Sequence, residues 1–146
     1  MTAALAYQGK LIASFPMGKH FQVGFYHWEN QADGSRVRWM GQRAAATLPE
    51  GPGELILELR APLPDIEQRP QRVRIRLDRR TYGLTLADRE WKRLALPLAA
   101  QGTRRHLISL ETADTFNPAR SFGSQDSRNL GIQLKDFELQ TAGDFR

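Results

Sequence analysis

Glu29, Asp126 and Arg128 are the side chains of this 146-residue sequence whose types could do chemistry together. Two carboxylates serve as a glycosidase pair when they stand about 5–5.5 Å or about 6.5–9.5 Å apart. Two acids among 16 aspartates and glutamates do not by themselves define such a pair. A carboxylate beside a guanidinium forms instead a bidentate, directional ion pair. That pair either offers donors and acceptors to a ligand's hydroxyls or anchors the loop holding Arg128 to the body of the fold. Both uses stay open. His20, His27 and His106 lack the i, i+4 spacing of a helical metal site, and with no cysteine there is no companion thiolate. Ser109 and Ser121 have no nucleophile-elbow context. The glycines fall in turns, not in a phosphate-cradling loop, and no dedicated acidic loop suits calcium. The residues therefore predict no catalytic group, no metal and no cofactor.

The aromatic residues sharpen the binding alternative. Tyr26 and Trp28 share a face opposite Phe21, Val23 and Phe25 if that strand runs straight. Exposed rings there would stack on the C–H face of a pyranose, with nearby polar groups fixing its hydroxyls. Alternatively Tyr26 faces the opposite sheet and Trp28 caps an edge of the core. Trp39 and Trp91, in phase with apolar neighbours, are expected in the core.

The elements that must position these groups read as strands. Phe21–Tyr26 alternates, a turn with Asp33-Gly34 follows, and Val37 and Trp39 alternate with Arg36 and Arg38. A helix over residues 36–46 is rejected because its aromatic and β-branched residues favour strand and its ends lack caps. A loop over residues 48–53 precedes Leu55, Leu57 and Leu59. The proline-rich residues 61–70 precede the cleanest alternation in the chain, Arg72-Val73-Arg74-Ile75-Arg76-Leu77. Residues 81–86 form its hairpin partner, and strands follow at 91–98 and 105–111. A long loop, 113–129, leads to the last strand. There Leu130, Ile132 and Leu134 keep one phase, and Phe137 and Leu139 continue it one residue late, the mark of a β-bulge. At most a short strand is expected near Leu11 to Phe15. Short strands punctuated by Gly/Pro turns, with no long amphipathic helix, predict an all-β, antiparallel two-sheet sandwich or a barrel. The predicted core holds Val23, Phe25, Val37, Trp39, Leu55, Leu57, Leu59, Val73, Ile75, Leu77, Ile108, Leu110, Ile132 and Leu134, with His106 partly buried beside it.

One domain is expected at this length, residues 21–146, with residues 1–20 as an extension or first strand. No apolar run approaches a membrane span and no signal peptide is visible, so the expected location is cytoplasmic if this is the whole chain. The net charge of +5 comes from arginine. Arg72, Arg74 and Arg76 stand on one face of one strand, with Arg79 and Arg80 at its tip and Arg104 and Arg105 expected nearby. That row either holds a polyanion or is a solvated face that discourages edge pairing. Without interleaved aromatic residues, nucleic acid is not the expected partner.

Gly24-Phe25-Tyr26-His27-Trp28-Glu29, then Arg38-Trp39, the proline-bounded strands, Phe116-Asn117-Pro118 and Asp126-Ser127-Arg128-Asn129-Leu130-Gly131-Ile132 occur in that order. Over residues 21–140 this pattern resembles the jelly-roll β-sandwich accessory domains found beside bacterial glycosyltransferases and other surface-polysaccharide proteins, which are similar in architecture to carbohydrate-binding modules. The resemblance implies jelly-roll topology and a non-catalytic carbohydrate-binding or accessory role in bacterial glycan biology. Its partner would be a glycan or a glycosyltransferase-type protein. In a jelly roll the first and last strands can be neighbours, which would bring Glu29 to Arg128. The expected ligand contacts are accordingly Tyr26, Trp28, Glu29, Asp126 and Arg128. The alternative is a structural or protein-interaction module that positions a partner or fused enzyme.

Overall fold

The computed structural model describes residues 10–12 and 21–141. In chain order the strands are β1 (Lys10–Ile12), β2 (Gln22–Phe25), β3 (Glu29–Asn30), β4 (Arg36–Leu48), β5 (Gly53–Arg60), β6 (Gln71–Leu77), β7 (Arg80–Leu86), β8 (Lys92–Leu98), β9 (His106–Thr112), β10 (Ile132–Leu134) and β11 (Glu138–Thr141). One short helix, α1 (Pro118–Phe122), lies between β9 and β10. The strands pair in the order β1-β11-β5-β10-β4-β9-β6-β7, with β2 and β3 also on β4 and β8 on β5, and the pairings are antiparallel.

The long strand β4 makes the fold. Its first part pairs with β3 and β10, and its second part with β9. The sheet curls on itself there, so Leu55, Leu57 and Leu59 of β5 join Val73, Ile75 and Leu77 of β6 in one buried cluster. Those strands are not hydrogen-bonded neighbours; they meet through the interior. The result is the expected antiparallel jelly-roll β-sandwich, its two layers continuous through β4 and β10. Each fully buried leucine or isoleucine contributes about 1.5–3 kcal/mol of apolar burial, and this layer is what holds the strands in place.

Strand β6 alternates without a fault, arginines outward and Gln71, Val73, Ile75 and Leu77 inward. The bulge near the end of the chain is also present. Leu134 faces Leu59 but Glu138 faces Ile56, so β10–β11 runs one residue longer than β5 over that stretch. The extra residue turns Phe137 into the core. The strand expected near Leu11 to Phe15 is β1, paired with β11; residues 13–15 lie outside the described residues.

Several expectations are corrected. Val23 is 52% exposed and Phe25 only half buried. Gly24, at φ 88°, breaks the register between them: Val23 faces Ala45 while Phe25 faces Met40. A Cβ at position 24 would run into the Arg43 carbonyl, so only glycine lets β2 approach β4 this closely. Arg38, expected on the solvent side, is 7% exposed. Trp91 is half buried outside the core, between Arg60 and Lys135 at 4.6 and 4.7 Å. His106 is fully buried.

Candidate functional site

The loop from 113 to 130, which joins β9 to β10, is built from residues that close it locally. Gln71, a polar residue at a core position of β6, holds its start. The Gln71 amide donates to the carbonyls of Asp114 (2.8 Å) and Gly131 (3.1 Å) and accepts from the Asp114 N–H (3.1 Å). Phe116 and Leu130 exchange backbone hydrogen bonds of 2.7 Å across the loop's neck. Asn117 then caps α1 by accepting from the Arg120 N–H at 3.1 Å, Pro118 follows, and Gly123 ends the turn. Asn-Pro before one helical turn is sequence chemistry that stops a strand and starts a helix. Gly131, where the loop enters β10, sits so close to the Gly41 carbonyl and the Thr112 side chain that a Cβ would not fit.

Across this loop lies the polar cluster expected from the sequence. The Arg128 guanidinium donates to both Asp126 oxygens (2.9 and 2.7 Å) and to Glu29 Oε2 (3.0 Å). Its carbon lies 5.2 Å from the centre of the Tyr26 ring, and the Tyr26 hydroxyl donates to the Asn129 carbonyl at 3.1 Å. Tyr26, Glu29, Asp126 and Arg128 therefore form one network, joining the β2–β3 segment to a loop almost a hundred residues away. Trp28 belongs to a neighbouring stack. Arg36 lies 4.1 Å and Arg38 4.5 Å from its ring centre, and Arg38 also lies 3.9 Å from the Phe25 ring. Arg38 donates to Gln22 Oε1 at 2.9 Å, and Arg36 pairs with Asp136. Burial pulls the Arg38 guanidinium down to about 10; the aromatic faces and Gln22 make its burial tolerable.

The electrostatics of the cluster decide its chemistry. Hydrogen bonds from the Arg128 side chain and backbone hold the Asp126 carboxyl down to about 2, and Asp126 in turn raises Arg128. Asp126 is thus a carboxylate at neutral pH. A glycosidase acid needs the opposite, a raised pKa and a proton to give. Glu29 and Asp126 share one guanidinium instead of flanking an open space. Arg128 holds both carboxylates, and Asp126 is not the protonated acid that such a pair requires.

Beside it is a surface that the sequence did not single out. Phe122, at the end of α1, is 67% exposed and meets Phe116 edge-on, with centroids 5.6 Å apart. It borders a groove of about 430 Å³ between this loop and residues 61–70, lined also by Asp65, Arg69, Asn117, Arg120 and Asn129. Asn129 connects the two regions: it lines the groove, and its carbonyl accepts from Tyr26. The signal for Phe122 was available as an aromatic residue among Arg120, Ser121, Gly123 and Ser124, with no apolar partner at strand spacing. Among the described residues no group of three or more acidic or histidine side chains is placed to hold a metal ion.

No family model and no curated protein matches this chain. Solved structures with a similar course of strands include an EclA C-terminal domain described as a sugar-binding protein, at TM-score 0.47 and 15% identity, covering 78% of this chain and 90% of that one. A family 35 carbohydrate-binding module from Clostridium thermocellum aligns at TM-score 0.47 and 10% identity, covering 91% and 98%. TmCBM61, solved with β-1,4-galactotriose, aligns at TM-score 0.43 and 11% identity, covering 90% and 86%. These values are too low to carry any of those proteins' ligands over to this chain.

Proposed function

We propose that this chain is a non-catalytic carbohydrate-binding domain that engages its glycan at the 113–130 loop, in bacterial surface-polysaccharide biology beside a glycosyltransferase-type partner. The observation that carries the reading is Phe122: a large aromatic ring left in water on a loop pinned at its neck, at its start by Gln71 and at its end by Arg128. A ring held this way is a stacking platform that costs little to order on binding. Asn117, Asn129, Arg69 and Arg120 surround it with the donors and acceptors that hydroxyls need. Tyr26, Glu29, Asp126 and Arg128 set the loop's position, the exposed edges of Glu29 and Tyr26 extending the contact area, and Trp28 in its neighbouring arginine stack would contribute only to a longer ligand.

Glycan-array binding followed by titration calorimetry tests the reading, with neutral oligosaccharides among the first to try. Phe122→Ala is expected to weaken the bound glycan at least tenfold, about 1.4 kcal/mol, while leaving the melting temperature within a degree or two. Unchanged affinity in that variant would remove the groove from the site. A second reading, a module that positions a partner enzyme, is favoured by the way Glu29, Asp126 and Arg128 satisfy one another. It is the better one if no glycan at millimolar concentration binds or perturbs tryptophan fluorescence.

A further inference from the structure

The outer face of the β4–β9–β6–β7 layer carries a second surface, separate from the loop groove. Arg72, Arg74 and Arg76 point outward from β6 at alternate positions, so their stems stand about 6.6 Å apart along the strand. Their neighbours across the sheet are short except for Glu111, which stands opposite Arg74 on β9. Arg76 has Ser109 on one side and Thr81 on the other, Arg74 faces Gly83, and Arg72 faces Thr85. Ala45 extends the low floor beyond Ser109. Two open hollows of about 600 and 640 Å³ lie over this floor and share Arg74 and Glu111. Among the described residues Glu111 is the one acid lining them; it is bound by Arg43 at 2.9 Å and Arg74 at 3.2 Å, so the described lining is net positive.

We propose that this trough binds an acidic polysaccharide, a linear chain bearing carboxylates on successive sugars. Charge complementarity selects a polyanion, and guanidinium groups in a row match carboxylates bidentately. The floor decides which polyanion. Thr81, Thr85 and Ser109 offer hydroxyls to sugar hydroxyls, whereas the trough's lining between the arginines presents no aromatic face for bases to stack on apart from the half-buried Tyr82 of the inner side. The proposal does not rest on the Phe122 groove, and either surface can fail without the other.

Affinity electrophoresis of the intact chain in gels containing polygalacturonate, the same polymer fully methyl-esterified, or single-stranded DNA tests it. The wild type is expected to be retarded by polygalacturonate only, with the retardation falling steeply as salt is added. Arg74→Gln/Arg76→Gln should weaken retention at least tenfold, and Phe122→Ala should leave it unchanged. Arg93→Gln/Arg104→Gln removes the same charge elsewhere and should retain most of the binding, with circular dichroism confirming that each variant is folded. No retardation, equal retardation by the esterified polymer, stronger retention by DNA, or equal loss in the two double variants would each overturn the proposal.

Discussion

Two charged networks sit at opposite ends of β9, and they use one device at very different depths. At its start, His106 is fully buried: its Nδ1 lies 2.7 Å from Asp78 Oδ2 and its Nε2 2.7 Å from the Gly51 carbonyl. Asp78 also accepts from the Leu107 N–H at 3.0 Å and sits at φ 55° in the β6–β7 turn. A non-glycine residue in the left-handed region is strained and persists only where its surroundings fix it. Past the end of β9, Arg128 ties Asp126 and Glu29 together with all three side chains about a third exposed. The first network centres on a ring with no exposure, although Asp78 keeps 23% of its side chain in contact with water, and it ties three turns together. The second stays in contact with solvent and positions a loop. Burial, not the number of hydrogen bonds, sets what each contributes: a polar group orphaned in the interior loses its solvation outright, whereas an exposed one is rehydrated.

That contrast can be broken by substitution. His106→Ala should cost about 3 kcal/mol, because it empties a fully buried site and takes one hydrogen-bond partner each from Asp78 and the Gly51 carbonyl. Chemical denaturation would show it as a fall in midpoint with unchanged slope; a loss below about 0.5 kcal/mol would mean the buried network is dispensable. Arg128→Ala should cost about 1 kcal/mol or less overall and act locally. Hydrogen exchange is expected to rise at the backbone amides of residues 117–130 while those of β6 and β9 keep their protection. Global loss of protection would contradict the view that the network only places the loop.

The smallest effect is that of acid. The Asp126 carboxyl is depressed from 3.8 to about 2 in the folded state, so its contribution is complete above pH 4 and is lost as pH falls through about 2. The Tyr26 ring and hydroxyl report on the loop; their NMR shifts should move between pH 4 and pH 2 in the wild type and stay flat over that window in Asp126→Asn. Movement at a higher pH in the wild type would point to Glu29 or another carboxyl as the group that holds Arg128.

Much of the framework was legible because strand periodicity is local. Val73, Ile75 and Leu77 alternate with arginines, and the one-residue slip between Leu134 and Phe137 emerged as the shift in pairing along β5. The grouping of Tyr26, Glu29, Asp126 and Arg128 was also legible, once topology was assumed to bring the early strands beside the last loop. What failed was exposure. Val23 alternates like a core residue, but Gly24 breaks its register; Arg38 alternates like a solvent residue, but Phe25 and Trp28 cover it. Phe122 lies outside any strand pattern, and the groove beside it needs residues 61–70 from elsewhere in the chain.

The division has a physical cause. The pattern of side chains along a strand determines which positions share a face, and the turn residues determine where a strand must stop; both are properties of a few consecutive residues, and the sequence settles them. Whether that face then meets water, a ring or an opposite charge depends on segments far away in the chain. Arg36 finds Asp136 and Arg128 finds Glu29 across roughly a hundred positions, and only the curl of the sheet at β4 decides those meetings.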